Sequence, residues 1–186
     1  VAKNKNGQPD TLQTNDDIDY TAASFFVQGD LELNTKWLVN AGISLNKTKV
    51  GITRLSRYPV LTQQRNYRNE LAPRISIRRN INESFAVKTT VSRGFSPPTV
   101  SELLPSTGVI STGLEAEYGW NYELAASHGF LKNKLKIEAT GYYFRLNNAL
   151  VQRRDLSGAD YFVNAGNVQQ KGLELQADYW QAFNRG

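Results

Sequence analysis

The chain has 186 residues, is 40% hydrophobic and 21% charged, and carries a formal net charge of +5. That composition excludes a disordered polyelectrolyte and is enough for one ordinary domain. Cys is absent and His128 is the single histidine, which excludes disulfides, thiolate chemistry and any metal site built from several Cys or His of this chain. No run approaches the roughly 18 apolar residues of a membrane helix, but a membrane β-strand needs only about 9–11 residues of alternating character.

The chain opens at Val1 and contains no Met. A native product begins with Met or a processed signal, so the expectation is a piece of something longer.

Period two dominates from one end to the other. Near 20–33, Phe25, Val27, Gly29, Leu31 and Leu33 share a face. Near 35–47 the same role falls to Trp37, Val39, Ala41, Ile43 and Leu45. The next two runs, near 68–80 and 84–95, place Leu71, Pro73, Ile75 and Ile77, then Phe85, Val87 and Val91, on one side. Near 116–130 the apolar row is Tyr118, Trp120, Tyr122, Leu124, Ala126 and Phe130. Near 133–148 it is Leu135, Ile137, Ala139, Gly141 and Tyr143, and near 168–182 it is Leu173, Leu175, Ala177 and Tyr179. The opposite rows carry Lys36, Arg74, Arg78, Lys88, Glu123, Lys136, Glu138, Glu174 and Asp178.

These rows predict an all-β antiparallel up-and-down meander of about seven strands. The connections alternate in length: short at 33–35, 80–84 and 131–134, long near 47–67, 95–115 and 148–167. The strands run to about 12–16 residues, against roughly 5–6 in soluble sheets. A soluble sheet with one buried face explains the alternation but neither the length nor the asymmetry of the connections. A transmembrane barrel explains all three: apolar row to lipid, charged row to a wet lumen, short turns at one rim and long loops at the other. Trp37, Phe85 and Phe130 sit beside the short turns, where an interfacial aromatic girdle belongs, and His128 reads as an interfacial polar residue there.

Three blocks carry a resemblance. In "SRGFSPPTVSELL" stand Ser92, Arg93, Gly94, Phe95, Pro97, Pro98, Glu102 and Leu103. In "LEAEYGWNYELAASHGF" stand Leu114, Glu117, Gly119, Asn121, Tyr122 and Glu123. In "YFVNAGNVQQKGLELQADY" stand Asn164, Gly166, Lys171, Gly172, Leu173 and Glu174. In order and spacing across 71–179 they resemble the TonB-dependent outer-membrane receptors, siderophore-receptor type; residues 1–67 fit the hairpin pattern without a comparable motif. Pro97 and Pro98 mark where sheet pairing ends, and Gly94 is expected at a close backbone approach or an unusual φ.

The resemblance implies a barrel of about 22 strands plugged by an N-terminal domain. Residues 1–186 then form a partial barrel domain, with the plug and the remaining strands absent. It implies a transporter rather than an enzyme, with no catalytic residues, in the outer membrane of a Gram-negative bacterium. Its ligand would be a ferric siderophore, with no further cofactor or metal. Its partners would be outer-membrane lipid and the TonB complex, the latter through the absent N-terminal region. Two open sheet edges and an uncovered apolar face make the isolated chain prone to self-associate.

For ligand contacts the loop cations are the candidates: Arg54, Arg57 and Arg65 in the first long connection, Arg153 and Arg154 in the third. Guanidinium groups fork onto carboxylate or catecholate oxygens; lipopolysaccharide phosphates or plain solvation would suit them too. Glu115, Glu117 and Glu123 share one strand face, which speaks for luminal solvation rather than paired acid–base chemistry. The glycines follow no phosphate-loop spacing. Most strand aromatics and strand charges lie on opposite faces, against single-stranded nucleic acid. Three alternatives stay open: an importer of haem, cobalamin or glycan, a passive porin or adhesin barrel, and a soluble β-enzyme or lectin.

Overall fold

The computed structural model describes residues 15–56, 58–104 and 110–181. Seven long strands form the sheet: β1 (Asp16–Asn34), β2 (Trp37–Arg54), β4 (Glu70–Asn80), β5 (Phe85–Ser96), β6 (Glu117–Phe130), β7 (Leu135–Asn147) and β10 (Val168–Tyr179). Short elements occupy the long connections: β3 (Leu61–Asn66), a one-turn helix α1 (Val100–Leu103), and the hairpin β8 (Leu150–Arg154) with β9 (Asp160–Asn164). The sheet order is β1-β2-β4-β5-β6-β7-β10, with β3 pairing the upper part of β2 and β8–β9 forming a separate two-stranded ribbon. Every pairing is antiparallel. The sheet is an open meander whose edges among the described residues are β1 and β10.

Register makes the two faces continuous. One rung runs Gly29–Ala41–Ile75–Val91–Tyr122–Tyr143–Lys171 across all seven strands. The adjacent rung, on the other face, runs Gln28–Gly42–Arg74–Ser92–Asn121–Phe144–Gln170. Because side chains alternate, this register puts the apolar rows on one outward surface. Phe25, Leu124 and Leu175 are 73%, 61% and 73% exposed there. The inner face is wired instead by cross-strand polar contacts. Asn40 Nδ2 donates to Asp30 Oδ1 at 2.6 Å, Ser24 Oγ to Asn46 Oδ1 at 2.7 Å, and Thr90 Oγ1 to Ser76 Oγ at 3.1 Å.

The short turns owe their tightness to asparagine. Asn34 Oδ1 accepts the N–H groups of Lys36 and Trp37 at 2.9 and 3.1 Å, and Asn82 Oδ1 accepts those of Ser84 and Phe85 at 2.9 and 2.8 Å. These are side-chain mimics of a backbone turn. The turn at 131–134 runs through left-handed backbone at Leu131, Lys132 and Asn133.

Two expectations change. The first long connection begins after Arg54, not at 47, because β2 keeps its period-two pattern over 47–54 with the polarity reversed. Lys47 and Lys49 now lie on the outward face, while Val50 and Ile52 on the inner face are 1% and 2% exposed. The reversal marks where the strand gains a protein layer on its inner side. Gly94 sits in ordinary extended backbone, and a Cβ there would meet nothing within 4 Å. Close approach occurs at Gly119 and Gly172 instead. A Cβ there would lie 2.7 Å from the Phe144 ring and 2.6 Å from the Tyr142 hydroxyl, because these aromatics fold across the bare backbone of the neighbouring strand.

Candidate functional site

Several of the residues that the sequence motifs single out, Pro98, Glu102, Leu103, Leu114, Glu117, Asn164 and Gly166, converge at the loop end of the inner face. Pro98 is fully buried. Thr99 then starts the one-turn helix: its backbone N–H donates to Glu102 Oε2 at 2.6 Å and its hydroxyl to the same oxygen at 2.8 Å. This reciprocal cap satisfies a donor that the helix start would otherwise orphan. The turn places Leu103, 1% exposed, against Val50, Ile52, Tyr67, Leu114 and Ala116. Ile18, Leu104, Ile110, Leu150 and Phe162 pack around that cluster, so β1, β2 and all three long connections contribute to it.

Asn164 ties the second and third connections together. Its Nδ2 donates to the carbonyls of Glu115 at 3.0 Å and Asn148 at 2.8 Å, and its Oδ1 accepts the Glu115 N–H at 2.9 Å. Glu117 Oε1 accepts the Leu150 N–H at 2.7 Å. Gly166 follows at φ 109°, a backbone angle that side chains oppose. Arg93 lies on the outward parity of β5, with Nη2 2.7 Å from Glu70 Oε2 and its guanidinium 5.1 Å above the Tyr118 ring. Phe95 lies opposite Tyr118 in the β5–β6 register. The motif is thus largely an architectural device that locks loops to the barrel wall.

The loop cations separate by environment. Arg54 lies at the top of β2 in a two-pronged ion pair with Asp16, at 2.8 and 3.1 Å. Arg65 lies on β3, pairs through Nη2 with Glu115, and stands 5.5 Å from the Tyr67 ring centroid. Its Nε and the Tyr67 hydroxyl are buried with no hydrogen-bond partner among the described residues. Burial pushes the Tyr67 phenol up to about 12, so it keeps its proton as a donor at any physiological pH. Arg154 pairs with Asp160 at 2.7 Å across the β8–β9 ribbon. Arg153 is exposed on the same ribbon. Arg57 lies outside the described residues.

Farther down the inner face, charge falls into sectors. Asp30 and Glu32 line β1; Arg74, Arg78 and Lys88 line β4 and β5; Glu123, Glu138, Glu174 and Asp178 line β6, β7 and β10, with Lys136 among them 3.3 Å from Glu138. A hollow beside Lys88 is bordered by Glu123, Glu138, Thr140 and Glu174. Among the described residues no group of three or more His, Asp or Glu side chains is placed to hold a metal ion.

Sequence reasoning missed Tyr67, Val50 and Ile52 as parts of this layer. For the last two the reversed alternation over 47–54 was a usable signal. For Tyr67 the sequence carries none, since its partners come from β2, α1 and the second connection.

Residues 2–186 match the family described as TonB dependent receptor-like, beta-barrel. Among solved structures, the copper transporter OprC superposes with a TM-score of 0.74 at 15% identity, covering 90% of this chain and 27% of that one. A double mutant of the Serratia marcescens hemophore receptor HasR gives 0.70 at 14% identity, covering 87% and 32%. The siderophore receptor PiuA from Acinetobacter baumannii gives 0.68 at 20% identity, covering 87% and 23%. The chain therefore spans between about a quarter and a third of the length of these relatives. No curated protein sequence matches. With its open antiparallel wall, its alternating rims and its loop-locking motif residues, the chain belongs to the TonB-dependent receptor-like β-barrel family.

Proposed function

We propose that the chain forms part of the barrel wall of an outer-membrane importer that takes up ferric siderophores, powered through TonB by way of a plug domain outside this segment. The observation that carries the reading is the loop layer itself. Three outer connections are fused into one platform over the inner face, and they carry Arg65 and Arg153. Such cations suit the oxygen-rich, often anionic surface of an iron–siderophore complex. Arg57 is assigned to the same ligand surface from its place in the sequence. Arg54 and Arg154, each held by a carboxylate, contribute less. No chemical step is required of the protein, which acts as a transporter and not an enzyme.

Cells lacking the receptor that contains this segment should lose uptake of radiolabelled ferric siderophore under iron limitation, and the restored gene should recover it. Relatives of the same fold are a copper transporter and a hemophore receptor, so copper and haem are run in parallel. Uptake of either, with ferric siderophores ignored, would overturn the substrate class while leaving the importer. Removed from the barrel, the segment has two open edges and a bare apolar face, and it should sediment as an assembly in detergent-free buffer.

A further inference from the structure

The ion pairs of the loop layer differ in kind. Arg54 and Asp16 are register partners on β1 and β2, both buried, and meet through two nitrogens. Arg154 and Asp160 face each other across the β8–β9 ribbon, again through two nitrogens. Arg65 and Glu115 share no strand pairing. They come from separate connections, 50 residues apart, and meet through Nη2 and Oε1 with side chains 29% and 52% exposed. Backbone register enforces the first two pairs. The third is held by its own attraction, and exposed pairs of that kind hold weakly in water.

Both partners are nevertheless fixed up to their charged ends. Arg65 is the register partner of Val50 in the β2–β3 pairing, so it lies on the inner face. Its Nε is buried and its guanidinium carbon stands 5.5 Å from the centroid of the buried Tyr67 ring, so the stem is enclosed and the Nη end reaches the surface. Glu115 stands between Leu114 and Ala116, both buried in the loop core. Asn164 holds the Glu115 N–H at 2.9 Å and its carbonyl at 3.0 Å. Rotation about the Glu115 side-chain bonds is therefore enough to separate the pair. A carboxylate that turns away leaves the guanidinium in place beside Tyr67, with its fork turned to the inner face.

We propose that Glu115 is a specificity-determining competitor of the ligand: its carboxylate covers the Arg65 guanidinium, and a ligand gains this cation only by displacing it. The inference rests on the anionic-ligand reading above. Glu115 offers Arg65 one oxygen contact. Paired carboxylate or catecholate oxygens of a ferric siderophore take both prongs of a guanidinium. Strongly anionic complexes win that exchange, whereas uncharged ones leave the Arg65–Glu115 pair closed. The exchange also unties the first connection from the second at this point, while Leu103 and Asn164 keep the layer together.

The test uses the complete receptor in mild detergent, titrated with a ferric tricatecholate as the anionic probe and an uncharged ferric trihydroxamate as its counterpart, and read by quenching of tryptophan fluorescence. Glu115→Gln should tighten the tricatecholate by about three- to fivefold, the size of one exposed ion pair that no longer has to break, and leave the trihydroxamate unchanged. Arg65→Gln should weaken the tricatecholate, and adding Glu115→Gln to it should change nothing further. Glu115→Asp keeps the charge but draws it back by one methylene, and should tighten binding less than Glu115→Gln does. The covering contact is read without any ligand from the reactivity of Arg65 towards phenylglyoxal, followed by peptide mass spectrometry; it should rise about threefold in Glu115→Gln. Unchanged tricatecholate affinity in Glu115→Gln would overturn the proposal and leave the transport reading intact. Tightening that persists in the Arg65→Gln background would also overturn it, since the carboxylate would then act through its field and not by covering Arg65. Should no form bind the tricatecholate, a raised Arg65 reactivity in Glu115→Gln would remove the siderophore reading and keep Glu115 as the cover of Arg65; an unraised one would remove the cover itself.

Discussion

The bilayer wall and the loop-end layer solve opposite problems with the same strands. In the lower part of β2, Val39, Ile43 and Leu45 face outward and Asn40, Ser44 and Asn46 face inward; four residues later Lys49 faces outward and Val50 inward. β1 turns over in the same way, from Phe25 and Val27 outward to Asp17 and Asp19 outward with Ile18 packed inside. The wall needs no protein core, because lipid covers its apolar face. The loop layer stands in water and must build an ordinary core from Val50, Ile52, Tyr67, Leu103 and Leu114. Side-chain parity is thus a statement about the local solvent, and its reversal marks where the solvent changes.

Substitutions that act on one region and spare the other would sharpen that contrast. The largest effect belongs to Leu103→Ala, which should cost the loop layer about 2–5 kcal/mol. Faster amide exchange over 99–104 and 111–116 with unchanged exchange in β6 and β7 is the expected result; protection lost in both regions would mean that they are one cooperative unit. Next is the wall. Ile137→Arg should cost about 2–4 kcal/mol if it lies near the midplane, whereas Thr140→Arg on the inner face should cost far less. Equal losses in a lipid-refolding titration of the receptor would break the assignment of faces.

Asn164→Ala should cost about 1–3 kcal/mol, since it leaves a carbonyl and an N–H of Glu115 without their partner. Limited proteolysis in the second and third connections should register it, with the wall untouched. The smallest effect is acid loosening of the β8–β9 ribbon. Hydrogen bonds from Ser157 and Ala159 hold the Asp155 carboxyl below its ordinary range, and Arg154 does the same for Asp160. Depressed values mean that the contribution is complete above the unfolded value of about 3.9 and is lost as pH falls through the folded ones. Exchange of the Ser157 and Ala159 amides, corrected for intrinsic rate, should be flat from about pH 5 to 8 and rise below about pH 4.

Much of the wall was legible because its signal is local. Trp37 to Leu45 and Leu135 to Tyr143 alternate strictly, and the strand that each residue belongs to follows from its neighbours in sequence. The rims were legible from Asn34, Asn82 and Asn133, whose side chains and backbone preferences favour tight turns. The loop layer was not. Glu102, Asn164 and Gly166 stood out as a pattern, but a pattern names positions and not partners. Arg54 and Arg65 read as free loop cations, yet Asp16 and Glu115, 38 and 50 residues away, hold them.

By itself, the sequence determined the period of the long strands, the face of each residue within the alternating rows and which connections are short, because these depend on backbone alternation and turn chemistry within a few residues. Only the tertiary structure decided that β2 continues to Arg54, that three separate connections share one core, and that Asp16 and Glu115 hold Arg54 and Arg65. Those outcomes depend on register between strands far apart in the chain, where the stabilising contacts are made by residues that no local window contains together.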